Sequence, residues 1–204
     1  MQSVAIMKNI YLYKGNEYNT FNIDTLIKKL GRKRNIIILS EQLFIKKYDI
    51  EEKTNIERFI DNKILEDFSN KDDLLFHYEY VKKYNCVYLY SIRCIGLNRF
   101  YSNIESLTVK PIQFLIKDLI LKTKNKFKSF IAIYKLKELY YVVDINEEII
   151  INSHILNKEE EVKEIIQEIN KTIVIDNNLK ELDLIKEKVY INIGDKINER
   201  LFIK

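Results

Sequence analysis

The chain has 204 residues, enough for one sizeable core or for two small lobes without disulfides or a structural metal. Its 34 Lys and Arg against 30 Asp and Glu leave a net charge of only +4, so the charge balance implies no nucleic-acid partner. With 4 Gly in the chain, and neither GxGxxG nor GxxxxGK before Ser or Thr, the usual phosphate-wrapping loops are excluded.

The N-terminal MQSVAIMKNIYLYKG lacks the apolar core of a signal peptide, and no run approaches the roughly 18 apolar residues of a membrane helix, so a soluble piece is expected. Alternation on either side of Lys14-Gly15-Asn16 predicts a β-hairpin turning at Gly15, and TLIKKLG predicts a short helix stopping at Gly31. Asn35 to Leu39 reads as a buried strand, and Gln42 to Ile50 as a strand with one wet face. From Thr54 a helix sets Ile56, Phe59, Ile60, Ile64, Leu65 and Phe68 along one stripe, with Thr54-Asn55-Ile56-Glu57 in the form of a capping box. LLFHYEYV and CVYLYSIR, rich in Tyr, Val and Ile, predict two more strands.

Leu97, Phe100, Tyr101 and Ile104 have helical spacing, and Pro111 then restricts the residue before it to an extended conformation. A boundary near Leu107 to Pro111 is expected to divide a first lobe, 1–106, from a second, 107–204. In the second part the pattern predicts a helix, IQFLIKDLIL, three strands between Phe130 and Ile155, an acidic helix NKEEEVKEIIQEINK, a strand TIVID, a helical piece LKELDLIKE and a last strand KVYINI. No internal repeat is visible. Groups of strands followed by one helix, twice over, suit a mixed-sheet α/β fold better than a strict βαβ series.

No catalytic, cofactor-binding or metal-binding residue is assigned. Cys86 and Cys94 fall eight apart on one predicted strand, about 25 Å at strand rise, and read as buried free thiols rather than a disulfide. His77 and His154 have no paired cysteines for zinc and no nucleophile at a telling spacing, so both read as structural. The basic run Lys28, Lys29, Arg32, Lys33, Arg34 reads as a solvated helix end, with phosphate or anionic lipid as the alternative. The acidic run Glu159, Glu160, Glu161, Glu164 falls where a helix start favours negative charge. Of Tyr78, Tyr80, Tyr84, Tyr88 and Tyr90, most are expected in strand cores and some as interface anchors. A two-metal nuclease on an RNase H-like sheet wants an Asp in the first strand, and IYLYKG has none.

The segments IIILSEQLFIKKYDI, NIERFIDNKILEDF with its acidic Glu66-Asp67, DDLLFHYEY, CVYLYSIRC and LNRFYSNIESLTVKPIQFLIKDLIL follow one another in an order that resembles the cytoplasmic domain of the L component of the type II secretion inner-membrane platform, whose relative is the M protein of type IV pili. The resemblance covers about two-thirds of the chain. It implies an actin-like, RNase H-like α/β fold of mixed parallel and antiparallel sheets with flanking helices. It also implies a non-catalytic adaptor, peripheral to the bacterial inner membrane in the cytoplasm, that docks the N-terminal domain of the assembly ATPase and other platform subunits of a secretion, pilus or DNA-uptake (competence) machine. Membrane association would be indirect or through a segment outside this chain, no nucleic acid is expected, and a homodimer stays open.

Actin-like nucleotide binders carry an Asp-Gly pair in the hairpin turn that opens the second lobe, and here Lys135, Leu136, Lys137 and Glu138 stand in that place. The resemblance therefore implies no nucleotide cofactor. The alternatives are an actin-like ATP-binding protein or enzyme with a diverged site, and a nucleic-acid-binding module using Lys28 to Arg34. Partner-binding residues are not assigned.

Overall fold

The structure is a computed structural model that describes residues 2–123, 127–167, 170–179, 182 and 188–202. In chain order, β1 (Gln2–Met7), β2 (Ile10–Tyr13) and β3 (Asn16–Asn19) form an antiparallel meander. Its second turn is Lys14-Gly15, with φ of 50° and 74°; two left-handed residues match the twist of the flanking strands, as the hairpin expectation requires. The strand QSVAIM ahead of that hairpin was not predicted, and it too lacks an acid.

Helix α1 (Ile23–Lys29) buries Ile23 and Leu26 and leads into β4 (Lys33–Ile38), whose isoleucines are buried. There follow β5 (Phe44–Asp49), α2 (Ile56–Asp67), β6 (Leu74–Val81) and β7 (Cys86–Arg93), all close to their predicted bounds. The cap of α2 differs from the expected box. Asn55 accepts from the Arg58 N–H at 3.0 Å, while the Thr54 hydroxyl donates to the Glu51 carbonyl instead.

The helix expected over Leu97–Ser106 is a single 3-10 turn, Leu97–Phe100, whose buried Leu97 and Phe100 produced the periodicity. Then come β8 (Ser106–Pro111), α3 (Ile112–Thr123), β9 (Phe130–Leu136), β10 (Leu139–Asn146), β11 (Ile149–Leu156), α4 (Glu159–Gln167), β12 (Ile173–Asp176), β13 (Lys188–Ile191) and α5 (Gly194–Phe202). The predicted piece LKELDLIKE lies largely outside the described residues, and α5 was not predicted.

These elements make two sheets of one topology. The first runs β3-β2-β1-β4-β8 and the second β11-β10-β9-β12-β13; in each, an antiparallel three-stranded meander is extended by two parallel strands. Each parallel crossover needs a connection across the sheet face, and α1 and α4 occupy matching places in the two halves. The duplication leaves no readable repeat in the sequence because it is a repeat of burial pattern alone.

Two compact units result: Met1–Glu41 with Leu97–Lys204, and Gln42–Gly96. Both expected lobes, 1–106 and 107–204, contribute residues to the larger of these units, for a packing reason. Helix α3 lies against β8 and also against β9, β10 and β11, while α5 lies against β1 and β2, so each half's last helix covers the other half's sheet. Burial on more than one stripe suits α3 to that place: Ile112, Leu115, Ile116, Leu119 and Ile120 are all buried, and so are Gln113 and Lys117. The smaller unit is the antiparallel sheet β5-β7-β6 with α2 on one face.

Candidate functional site

The β9–β10 turn is Lys137-Glu138, between Leu136 and its partner Leu139, and Lys137 takes a left-handed φ of 53°. Its ammonium pairs with Glu17 of β3 at 2.7 Å, and Lys135 lies over the Tyr140 ring at 4.5 Å while donating to its hydroxyl at 2.9 Å. The turn that stands in the same topological place in the first sheet, between Met7 and Ile10, also opens on a left-handed lysine, Lys8 with φ 55°. The Lys8 N–H is committed to Ser40 Oγ at 2.8 Å. Neither turn offers the glycine that lets several backbone N–H groups converge on one phosphate.

At the end of β12, Asp176 is buried, and one of its carboxylate oxygens accepts from the N–H groups of Ile193 and Gly194 at 2.9 and 2.8 Å. A carboxylate of the chain itself thus takes two donors at the head of α5, where the helix dipole favours negative charge, and the Asn192 side chain takes the next, the Asp195 N–H, at 3.2 Å. Gly194 is required by closeness: a Cβ there would meet Asp176 Oδ2 and Asn178 Nδ2 at 2.7 Å. Nearby, the rings of Tyr134 and Tyr141 stack at 6.0 Å, and the Tyr141 hydroxyl donates to the Leu39 carbonyl at 2.9 Å. Burial holds both phenols well above their ordinary pKa, with the charge of Asp176 adding to it for Tyr134 and the neighbouring Tyr134 for Tyr141. This cluster joins the two sheets and contains no nucleophile beside a base.

The residues singled out in sequence separate rather than gather. His77 is exposed on β6 and stacks on Tyr90 at 5.9 Å; His154 is half-buried on β11 opposite Val142, where desolvation lowers its pKa. Arg34 leaves the basic run altogether: it is buried, and its guanidinium donates to the carbonyls of Gly31 and Phe100 at 2.9 and 2.8 Å. Glu159, Glu160 and Glu161 do occupy the first turn of α4, with Glu159 paired to Lys163 at 2.8 Å. Cys86 opens β7, where burial raises its thiol pKa, and Cys94 lies just past the end of that strand; neither is in a disulfide. Tyr90 is buried, and Tyr80 and Tyr84 are exposed. Among the described residues no cluster of three His, Cys, Asp or Glu could hold a metal, and no helix is long and apolar enough to cross a membrane.

In the smaller unit, Ile60, Val87 and Leu89 form the core between α2 and the sheet, and Phe68 stacks edge-on between Phe44 and Phe76 at 5.8 and 5.0 Å. Beside it an open cleft of about 530 Å³ is lined by Asp67, Lys71, Asp72, Asp73 and Arg93 among others. Asp67 accepts from Lys46 at 2.7 Å and from the Tyr48 hydroxyl, and these bonds hold its carboxyl below its ordinary pKa. The mixed signs of its walls suit a polar partner surface better than a small-molecule pocket, which is mostly apolar.

No family model matches the chain, and no curated protein sequence does. Solved structures do, over nearly its whole length. A Bacteroides thetaiotaomicron protein of actin-like ATPase fold and unknown function is 12% identical, with 96% of this chain and 93% of that one covered at a TM-score of 0.56. The fold is actin-like. The same frame is found in the cytoplasmic domain of EpsL, an inner-membrane component of the Vibrio cholerae type II secretion system, at 10% identity and TM-score 0.59 over 94% of this chain and 89% of that one. The PilM–PilN type IV pilus biogenesis complex matches at 11% identity and TM-score 0.54, covering 98% of this actin-like chain and 89% of the other.

Proposed function

We propose that this actin-like chain is a non-catalytic platform subunit of a type II secretion, type IV pilus or DNA-uptake machine. It would work in the cytoplasm against the inner membrane, hold the N-terminal domain of the assembly ATPase and contact other platform subunits. The observation that carries the reading is the match of nearly the whole chain to a secretion-platform domain, at TM-score 0.59, combined with the lysine-led turn Lys137-Glu138 in the place where nucleotide binders of this fold carry Asp-Gly. The N–H groups at the head of α5 that are already taken by Asp176 and Asn192 support it further.

The test is calorimetry of the purified chain against the N-terminal domain of a candidate secretion or pilus ATPase, beside a titration with Mg²⁺ and ATP. Binding of the domain, through an interface on the order of 1,200–2,000 Å², with no heat from ATP is the expected result. Micromolar ATP binding without domain binding would put an actin-like ATPase in first place, a reading favoured by the ATPase fold of the Bacteroides neighbour.

A further inference from the structure

The sheet of the smaller unit has two edges of unlike character. β5, FIKKYD, carries Lys46 and Lys47 in its middle, the usual protection against pairing with another chain. β6, LLFHYEYV, carries no lysine and no proline, and its register on β7 runs unshifted from Leu74↔Arg93 to Val81↔Cys86, so no bulge turns it away. Among the described residues no strand pairs with its outer side. The Cys94 N–H donates to the Asp73 carbonyl at 2.9 Å, which fixes the alternation: the backbone groups of Leu75, His77 and Glu79 face β7, and those of Leu74, Phe76, Tyr78 and Tyr80 face outward.

The flanking charges say which strand fits that edge. Asp72 and Asp73 precede β6, and Lys82 and Lys83 follow it. An antiparallel neighbour complements this order if its own acids come first and its bases last, which is the order of β6 itself. We infer that β6 pairs antiparallel with β6 of a second copy of this chain, making one six-stranded sheet from two three-stranded ones. With the two-fold axis at Tyr78, the outward backbone groups meet, Phe76 stands opposite Tyr80 of the second copy, Leu75 opposite Val81 and His77 opposite Glu79, and the 3-10 turn that ends at Asp73 comes beside the 3-10 turn of the second copy that holds Lys82 and Lys83. A two-fold perpendicular to the sheet keeps its faces, so both α2 helices lie on one side and the row of Phe76, Tyr78 and Tyr80 continues across the join. The inference rests on the smaller unit alone and is independent of the platform role.

Sedimentation velocity of the whole chain over a wide concentration range tests it. The expected result is a monomer–dimer equilibrium that Tyr80→Lys and Lys83→Asp each weaken about tenfold, since every change acts twice across the axis. Adding Asp73→Lys to Lys83→Asp reverses both charges of the pair and should restore the dimer, a rescue that a folding defect would not show. A chain that stays monomeric at hundreds of micromolar overturns the inference and leaves the edge to a strand of another protein. A dimer indifferent to all three changes overturns it equally, because association would then use a different surface.

Discussion

Asp176 does at one position what a bound anion does at many helix starts. Its carboxylate accepts two backbone N–H groups at the head of α5 while fully buried, so removing it strips the Gly194 N–H of its acceptor and leaves the Ile193 N–H only its longer bond to the Ile191 carbonyl, in a place water does not reach. Asp176→Ala should therefore destabilise the chain by about 2 kcal/mol in urea unfolding, hydrogen bonds to a charged group being worth about 1.5–3 kcal/mol. Asp176→Asn keeps an acceptor and should lose less; equal losses would mean that the site is one of packing alone. Only the chemistry of an acid, not its burial, was legible at this position, since TIVID reads as any short apolar strand. The same holds for Arg34, which sits in a run of bases and yet spends its charge on two carbonyls, one of them 66 residues away.

At the scale of the element, periodicity and turn chemistry located most strands and helices because they are local. The α2 stripe, except for Leu65, which is exposed, the Gly15 hairpin and the pair β6 and β7 follow from side-chain spacing within a few residues of each other. Caps are a finer matter, because Thr54 and Asn55 are both good cap residues and only backbone direction chooses between them. With Asn55 as the cap, Asn55→Ala should cost about 1 kcal/mol and Thr54→Ala distinctly less, read from urea midpoints of the two variants. The reverse order would restore Thr54 to the role its capping box suggests. The unprotected edge of β6 was visible as a strand lacking lysine, but that it is an edge is a property of the sheet.

Across the whole molecule, stability is unevenly spread. β9 and β12 are buried almost end to end, whereas β5 is mainly exposed or half-buried and α2 buries only Ile60. Hydrogen exchange should therefore find amides of α2 and β5 opening well before those of β9 and β12, as a separate cooperative unit. Equal protection throughout would mean that the chain opens as one body. The insertion of Gln42–Gly96 between β4 and β8 also explains why a boundary drawn near Leu107 divides the chain differently from its packing: the first sheet is interrupted in sequence by a unit that is not part of it.

By itself the sequence determined a mixed α/β protein, the places of most of its strands though not of β1 or β8, the absence of the common glycine-rich phosphate loops, and a pattern of elements resembling secretion and pilus platforms, because each of these is written in local spacing and residue type. Tertiary structure alone decided that the two sheets share one topology, that α3 and α5 exchange partners across them, that Asp176 caps α5, and that β6 is left at an edge. Those features depend on which strand lies beside which, and pairing between residues far apart in the chain leaves no trace in any short window of it.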